Sequence, residues 1–418
     1  MAPKQMISGP VLLISVDAFP KMGGISTMTH HLANAFAELP GGAILLAPAG
    51  CHVPAAFTRR YALAEDFESD LEARDGTAGL AEDARIEALI RTIITEERPR
   101  RILLIHAFHY GPGAVAAARA HAIPVSVFIH GTEFTSQTLR PADALRTRRD
   151  PASRGFRLLS TLAAADEILT NSRHTANLVA AHASGRPPHV AGVGLPLATL
   201  RAEQRNSPVF DRGQRLARRR ALGLSDGPLL GYIGRLTPNK RIDRMLEIAA
   251  HIPSATCLIG GTGPAEQSLR AHAKSLGLSG RIHFTGALSE DAKWRALRAM
   301  DFSFLLSEHD TQTGAYEGFG IAMLEAAAAG AVPVSTGVDG MADFAGAPWH
   351  GALRLAADPW QPEHHAKTLR ALHAEEAGMD ALVRRGRHAI ANAFTWERIA
   401  RTLDYRWHGQ PMELARAG

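Results

Sequence analysis

Residues 229–250 read Leu-Leu-Gly-Tyr-Ile-Gly-Arg-Leu-Thr-Pro-Asn-Lys-Arg-Ile-Asp-Arg-Met-Leu-Glu-Ile-Ala-Ala. Leu229–Ile233 is an apolar run of strand length, and Gly234 interrupts it. Thr237 and Pro238 then have the character of an N-cap and a first helical residue, which predicts a helix over Lys240–Ala250 with Lys240 in its first turn. A buried strand that turns straight into a helix is half of a β–α–β unit, and such units build parallel sheets.

The same alternation extends in both directions. Downstream, strands are predicted at Thr256–Ile259, Ile282–Thr285, Phe302–Leu306 and Val332–Ser335, with helices over Ala265–Leu276 and Ala292–Met300. Upstream, Val11–Val16, Ile102–His106 and Val125–Ile129 read as strands, and Ser26–Leu39 and Gly113–His121 as helices. With 418 residues, 46% of them hydrophobic, 38 Gly and 24 Pro, the chain suits two α/β domains with sizeable cores. The Gly/Pro-rich stretch Gly192–Pro196 marks the boundary. The expected organisation is an N-terminal Rossmann-like domain over 1–194, a second over 195–392, and a C-terminal segment 393–418 crossing back to the first.

Composition narrows the function. The two cysteines, Cys51 and Cys257, lie far apart with no metal-like spacing, so a reducing, cytoplasmic setting is the default. Val11–Val16 is too short for a signal-peptide core, and no run approaches the about 18 apolar residues of a membrane span. A formal charge of +5 is compatible with an anionic ligand and does not call for nucleic acid. The 20 histidines are scattered: neither His106 and His109 nor His364–His365 has a partner at metal-site spacing, so no metal is expected.

The chemistry concentrates in Glu317-Gly318-Phe319-Gly320-Ile321-Ala322-Met323-Leu324-Glu325. Gly-Phe-Gly opens an alanine-rich helix whose free N–H groups and partial positive charge form an anion site. Glu317 lies ahead of that start and Glu325 is expected two turns in, with at most about 12 Å between them if the whole stretch is helical. Carboxylates accept sugar hydroxyls, so the pair could grip both ends of a nucleotide sugar. A lone Glu325 would be an ordinary solvent-facing residue; the combination with Glu317 and the glycines favours a site. Arg235 and Lys240, a fork donor and a point charge at the end of a parallel strand, suit a diphosphate. His130, ending the strand Val125–Ile129, is unremarkable alone but lies where α/β sheets bind ligands.

These residues carry a resemblance. With Gly23–Gly24, His130–Glu133, Asn171-Ser172, Gly231–Lys240, Gly260–Pro264, Glu317–Glu325 and Phe394–Glu397, nearly the whole chain resembles family 4 glycosyltransferases of the GT-B fold, two Rossmann-like domains facing each other across a cleft. The resemblance implies retaining transfer from a nucleotide diphosphate sugar, UDP- or GDP-linked, to a carbohydrate or lipid-linked acceptor, with no other cofactor. Cell-envelope polysaccharide or glycolipid synthesis would be ordinary work for the family. By the same resemblance Arg235 and Lys240 hold the diphosphate, Glu317 the transferred sugar and Glu325 the ribose. Gly318, Phe319, Gly320 and Ile321 supply backbone around the phosphates. His130 contacts the sugar, Gly24 lies near the phosphates, and Leu288 borders the base. The stretch Glu308–Tyr316 is longer than the family pattern leads one to expect, and is a candidate specificity loop.

Three other readings stand beside this one. Gly111-Pro-Gly113-Ala-Val-Ala116, with Glu133 twenty residues after Gly113, matches a dinucleotide fingerprint and would indicate an NAD-dependent oxidoreductase. A sugar-nucleotide epimerase would share the donor site, and a regulatory module would bind without turnover. Arg140–Arg157 holds six arginines against Asp143 and Asp150. It reads either as a solvated face or as a peripheral contact with anionic lipid at the inner face of the membrane.

Overall fold

The computed structural model describes residues 9–18, 23–48, 50–51, 53, 59, 62–65, 77–107, 109–138, 153–183, 186–347 and 350–408. By internal packing the chain separates into two units. One comprises residues up to Val193, Thr311–Ala315 and the chain from Trp396; the other comprises Gly194–Asp310 and Tyr316–Thr395.

The first unit is built on a parallel sheet of β1 (Val11–Ile14), β2 (Ala43–Ala47), β3 (Ala62–Glu65), β4 (Arg101–Leu104), β5 (Val125–Ile129), β6 (Glu167–Thr170) and β7 (His189–Val190), in the order β3-β2-β1-β4-β5-β6-β7. Strands β1 and β5 are buried at every position, the continuous apolar pattern of a sheet covered on both faces. The core joins Leu12, Ile14, Ile102, Leu104 and Val127 of the sheet to Ile86, Ile90 and Leu158 of the helices.

Two glycines of the dinucleotide-like run have a packing reason. A Cβ on Gly111 would lie 2.2 Å from Oγ1 of Thr161, and one on Gly113 would lie 2.7 Å from the carbonyl of Asp83. They let the helix Gly111–Ala120 approach its neighbours. The helix Trp396–Trp407 packs within this unit: Trp407 stacks on Phe36 at 5.3 Å and donates to Glu167 at 2.7 Å, and Arg100 pairs with Asp404 at 2.9 Å. The pentapeptide Thr311–Ala315 also packs here, with Oγ1 of Thr135 donating to the carbonyl of Gly314 at 2.6 Å.

The second unit is a parallel sheet of β8 (Leu229–Ile233), β9 (Thr256–Gly260), β10 (Ile282–Gly286), β11 (Phe302–Leu305), β12 (Val332–Ser335) and β13 (Leu353–Arg354), in the order β10-β9-β8-β11-β12-β13. Beneath it, at the amino ends of β11 and β12, three buried guanidiniums satisfy carbonyls that helix ends leave open. Arg215 donates to Met300 and Gly330, Arg219 to Ala299 at 3.0 Å and Gly227 at 2.7 Å, and Arg387 to Ala328 at 3.1 Å. Asp301, 1% exposed, is the carboxylate at their centre; it pairs with Arg219 and accepts the amide of Leu229 at 2.9 Å. Burial pulls the Arg215 and Arg387 guanidiniums down to about 10, still charged at neutrality.

Several boundaries differ from the sequence reading. β1 stops at Ile14 and β4 at Leu104, and the first helix runs over Gly24–Ala37. Strands β2, β3, β6, β7 and β13 have no counterpart in that reading; all but β2, an apolar run of five, are four residues or fewer. The helix predicted from Lys240 is really a 3-10 turn over Pro238–Lys240, a left-handed Arg241 (φ 49°, ψ 43°) and a helix from Ile242. Arg241 is held in that conformation by ion pairs to Asp243 and Glu308. Thr237 caps no helix with its side chain; its hydroxyl bonds Asn239 at 2.7 Å.

Candidate active site

In an open parallel sheet, ligands bind at the carboxyl ends where strand order reverses. In the second unit that point lies between β8 and β11. Arg235 and Lys240 follow β8; Ser307 and Glu317 follow β11. The loops are closely fitted. A Cβ on Gly261 (φ 127°) would sit 1.9 Å from the carbonyl of Gly234, and the amide of Leu236 donates to Thr262 at 2.9 Å. The hydroxyl of Tyr232 anchors the carbonyl of Arg235 at 2.8 Å, while the Arg235 guanidinium is exposed and has no side-chain partner among the described residues.

The helix Ile321–Ala329 begins at Gly320, whose φ of 93° is left-handed and whose Cβ would lie 2.4 Å from Leu305. Among the described residues no side chain caps this helix; the Met323 amide donates to the Gly320 carbonyl at 2.9 Å, and the amides of Ile321 and Ala322 are left for an anion. Because the helix starts at Ile321, Glu325 lies one turn in rather than two, and the stretch from Glu317 is not a continuous helix. Phe319 is buried and packs its ring 5.6 Å from Phe394, and the Glu317 carbonyl accepts the amide of Gly340 at 3.1 Å. Gly318 and Gly320 thus present backbone from a loop that side chains hold from behind.

The two carboxylates share one arrangement. Oε2 of Glu317 accepts Nζ of Lys240 at 2.7 Å and the buried hydroxyl of Ser307 at 3.2 Å, leaving Oε1 with no hydrogen bond to a described residue. Oε1 of Glu325 accepts Nζ of Lys293 at 2.6 Å, leaving Oε2 likewise open. All four side chains are 16–18% exposed, shielded enough for these pairs to be ordered. Each carboxylate is fixed by one oxygen and leaves the other without a hydrogen bond to a described residue. Sequence reasoning placed Lys240 on a diphosphate and did not find Lys293 or Ser307. Their partners are 32 and 10 residues away, with no local signal to connect them. Leu288 is half-buried against the core at the end of β9; a Cβ on Gly260 would meet its Cδ1 at 2.7 Å.

Of the loop residues Glu308, His309, Asp310 and Tyr316, any of which could touch the sugar or acceptor in a specificity loop, Glu308 and Tyr316 have structural partners. Glu308 pairs with Arg241 and with Arg244 at 2.5 Å, and its amide donates to Asn239 at 2.8 Å. Tyr316 is buried, 5.8 Å from the ring of His309.

In the first unit the strand order reverses between β1 and β4. Around that point lie Asp17, His106, His130 and Glu133. His106 Nε2 is 3.2 Å from Asp17 and 4.0 Å from Glu133, and the His130 amide donates to Glu133 at 2.9 Å. His130 Nε2 contacts the carbonyl of Ile105 at 3.0 Å, so it carries the proton and Nδ1 is the acceptor. Gly24 is the first residue of its helix; Cβ atoms at Gly23 or Gly24 would meet nothing within 4 Å among the described residues. Of the arginine-rich run, residues 140–152 lie outside the described residues, and Arg157 grips Asp83 at 2.5 and 2.6 Å.

Burial, reinforced by neighbouring His106, pulls both His109 and His130 down to about 3. Burial, partly offset by His106, pushes Glu133 up to about 7. A histidine with a depressed folded pKa binds its proton more readily unfolded. The two imidazoles therefore cost stability as pH falls from their ordinary value near 6.5 toward 3. Glu133 acts oppositely between its ordinary 4.5 and 7, and two histidines outweigh one carboxyl. Melting temperature should fall between pH 7 and pH 4, and more shallowly in His130→Gln, which keeps a donor for Ile105. Parallel curves for the two proteins would contradict this.

Switch-point loops bearing cations, an uncapped helix start and two half-anchored carboxylates define the class: a two-unit α/β protein with its charged side chains gathered at the carboxyl ends of parallel strands. The comparisons specify it. A family model described as Glycosyltransferase Family 4 matches residues 22–195, and one described as Glycosyl transferases group 1 matches residues 214–389. The chain is 26% identical over 330 residues to 2-deoxystreptamine glucosyltransferase of Streptomyces kanamyceticus, covering 76% of this chain and 80% of the relative. It is 26% identical over 356 residues to D-inositol 3-phosphate glycosyltransferase of Geodermatophilus obscurus, covering 80% and 73%. The structure of Anabaena HepE in complex with UDP superposes with a TM-score of 0.70 at 15% identity, over 96% of this chain and all of that one. The chain belongs to the family 4 glycosyltransferases and has their GT-B fold. It is a glycosyltransferase by family, which the oxidoreductase and epimerase readings do not match.

Among the described residues no helix is long and apolar enough to cross a membrane, and no three His, Cys, Asp or Glu side chains come together as a metal site.

Proposed function

We propose that the enzyme transfers a sugar, with retention at the anomeric carbon, from a nucleoside diphosphate sugar to a hydroxyl of a polyhydroxylated acceptor, and that it does so without a metal ion. The observation that carries this reading is the pair of half-anchored carboxylates on either side of an uncapped helix start. Glu317 Oε1 and Glu325 Oε2 are acceptors for sugar and ribose hydroxyls, and the amides at Ile321 and Ala322 lie between them for a diphosphate. Arg235, with a free guanidinium, and Lys240, with two N–H donors beyond the one on Glu317, take the place of a divalent cation. The UDP and UDP-glucose complexes of HepE support a uridine donor. Relatives named for 2-deoxystreptamine and D-inositol 3-phosphate support a hydroxylated ring as acceptor.

In the reaction the bond from the anomeric carbon to the diphosphate breaks, and its electron pair goes to the phosphate oxygen. The acceptor oxygen bonds to the same face of the carbon, and its proton passes to the departing phosphate. Charge grows on that phosphate, where preorganised cations and amides lower the barrier. His130 and Gly24, at the carboxyl edge of the first sheet, are that unit's ligand contacts in this reading.

A thermal-shift panel of UDP-, GDP- and ADP-sugars identifies the donor, since only a ligand of the folded state raises the melting temperature. With that donor, proton NMR should show a product of unchanged anomeric configuration, formed at the same rate in excess EDTA. An inverted product, or loss of turnover restored by a divalent ion, would overturn the corresponding part of the proposal.

A further inference from the structure

Lys293 lies outside every motif of the chain, yet a line of contacts runs through it to the proposed site. The indole Nε1 of Trp294 donates to Oε1 of Glu290 at 3.0 Å. That same oxygen lies 2.8 Å from Nζ of Lys293, which reaches Oε1 of Glu325 at 2.6 Å. Trp294 packs against the core of the second unit, so the line begins on a fixed point. Burial alone would lower the Lys293 ammonium, but the charges of Glu325 and Glu290 outweigh it and raise it. The lysine is therefore a permanent cation at neutral pH. A carboxylate is kept in one rotamer by a hydrogen bond and by an opposite charge placed against it. Lys293 supplies both at one oxygen.

We infer that Lys293 is the positioning residue for Glu325, and that the enzyme's preference for a ribose over a deoxyribose nucleotide depends on it. This rests on the reading of Glu325 as the ribose contact. An ionised, oriented acceptor gains most from a hydroxyl donor and loses most when that hydroxyl is missing. Without Lys293, Glu325 loses the hydrogen bond that fixes Oε1 and swings away, and the hydroxyl is no longer distinguished. A residue that only tied the helix Glu290–Ala299 to the helix Ile321–Ala329 would affect stability and leave that distinction intact.

The test uses UDP, GDP and ADP with their 2′- and 3′-deoxy forms, titrated calorimetrically into the full-length protein. For the diphosphate that binds, the wild type should prefer the ribonucleotide about tenfold or more, the worth of one hydrogen bond to a charged group. In Lys293→Met the preference should shrink to about twofold, with donor KM raised and kcat at saturating donor within about threefold of wild type. Lys293→Arg should restore much of the preference, and Glu325→Gln should lose it as Lys293→Met does. An unchanged ribose preference in a folded Lys293→Met protein overturns the role of Lys293 and leaves Glu325 as the ribose contact. If the wild type shows no preference, or Glu325→Gln keeps it, the reading of Glu325 itself fails, and this inference with it.

Discussion

Glu317→Gln and Lys240→Ala should each lower turnover by about 10²–10³, the range for losing one preorganised transition-state contact, and the double variant should be hardly worse than the poorer single one. The reason is the 2.7 Å pair between them. Lys240 fixes Oε2 of Glu317, and Ser307 completes the grip. Removing the lysine frees the carboxylate to turn away from the sugar, and removes a cation from the departing phosphate. Removing the carboxylate charge leaves an ammonium with no fixed direction. Either change dismantles one unit, so losses should not multiply. Arg235 has no such partner; combining Arg235→Ala with either change should cost close to the product of the separate losses. Initial rates at saturating donor decide the matter. A Lys240–Glu317 double variant about 10⁴-fold or more below wild type would show that the two act independently.

The largest loss of stability should come from Asp301→Asn, far from the site. Asp301 is the carboxylate facing Arg219, with Arg215 nearby and His373 Nε2 at 3.3 Å. Burial would raise its carboxyl, but His373, Arg219 and Arg215 hold it below the ordinary range. A depressed carboxylate stabilises the fold above its unfolded pKa, and that contribution disappears as pH falls through the folded value. Neutralising it leaves buried guanidiniums uncompensated, a change that costs about 3–5 kcal/mol when one partner of a buried pair is removed. Calorimetry should show the transition of the second unit shifted down at pH 7, and the shift should shrink only at acid pH below the ordinary carboxylate range, as the wild-type carboxyl takes up its proton. A shift no greater than that of an exposed pair such as Arg220–Asp226 would contradict the account.

Much of the chain was legible before any coordinates. Continuous apolar runs such as Val125–Ile129 and Leu229–Ile233 declare parallel strands because both faces are buried, and each appears with those bounds. Gly320 marks a helix start because few other residues take up a φ of 93°. These are local properties, written in one window of sequence. What stayed hidden was non-local. Arg241, which looks like a helical residue, is left-handed because Glu308, 67 positions later, holds it. The loop Glu308–Tyr316, read as a specificity element, divides: Glu308 and Tyr316 pack in one unit and Thr311–Ala315 in the other.

The sequence by itself therefore determined the layered α/β architecture and the helix start at Gly320, and it singled out Arg235 and Lys240 after β8 and Glu317 and Glu325 after β11. The tertiary structure decided how those residues are held: Lys240 on Glu317, Lys293 on Glu325, one oxygen of each carboxylate anchored and one left open. Propensity and burial pattern act over a few residues and survive in a linear string. An ion pair between residues 77 positions apart exists only once the sheet has set its strand order.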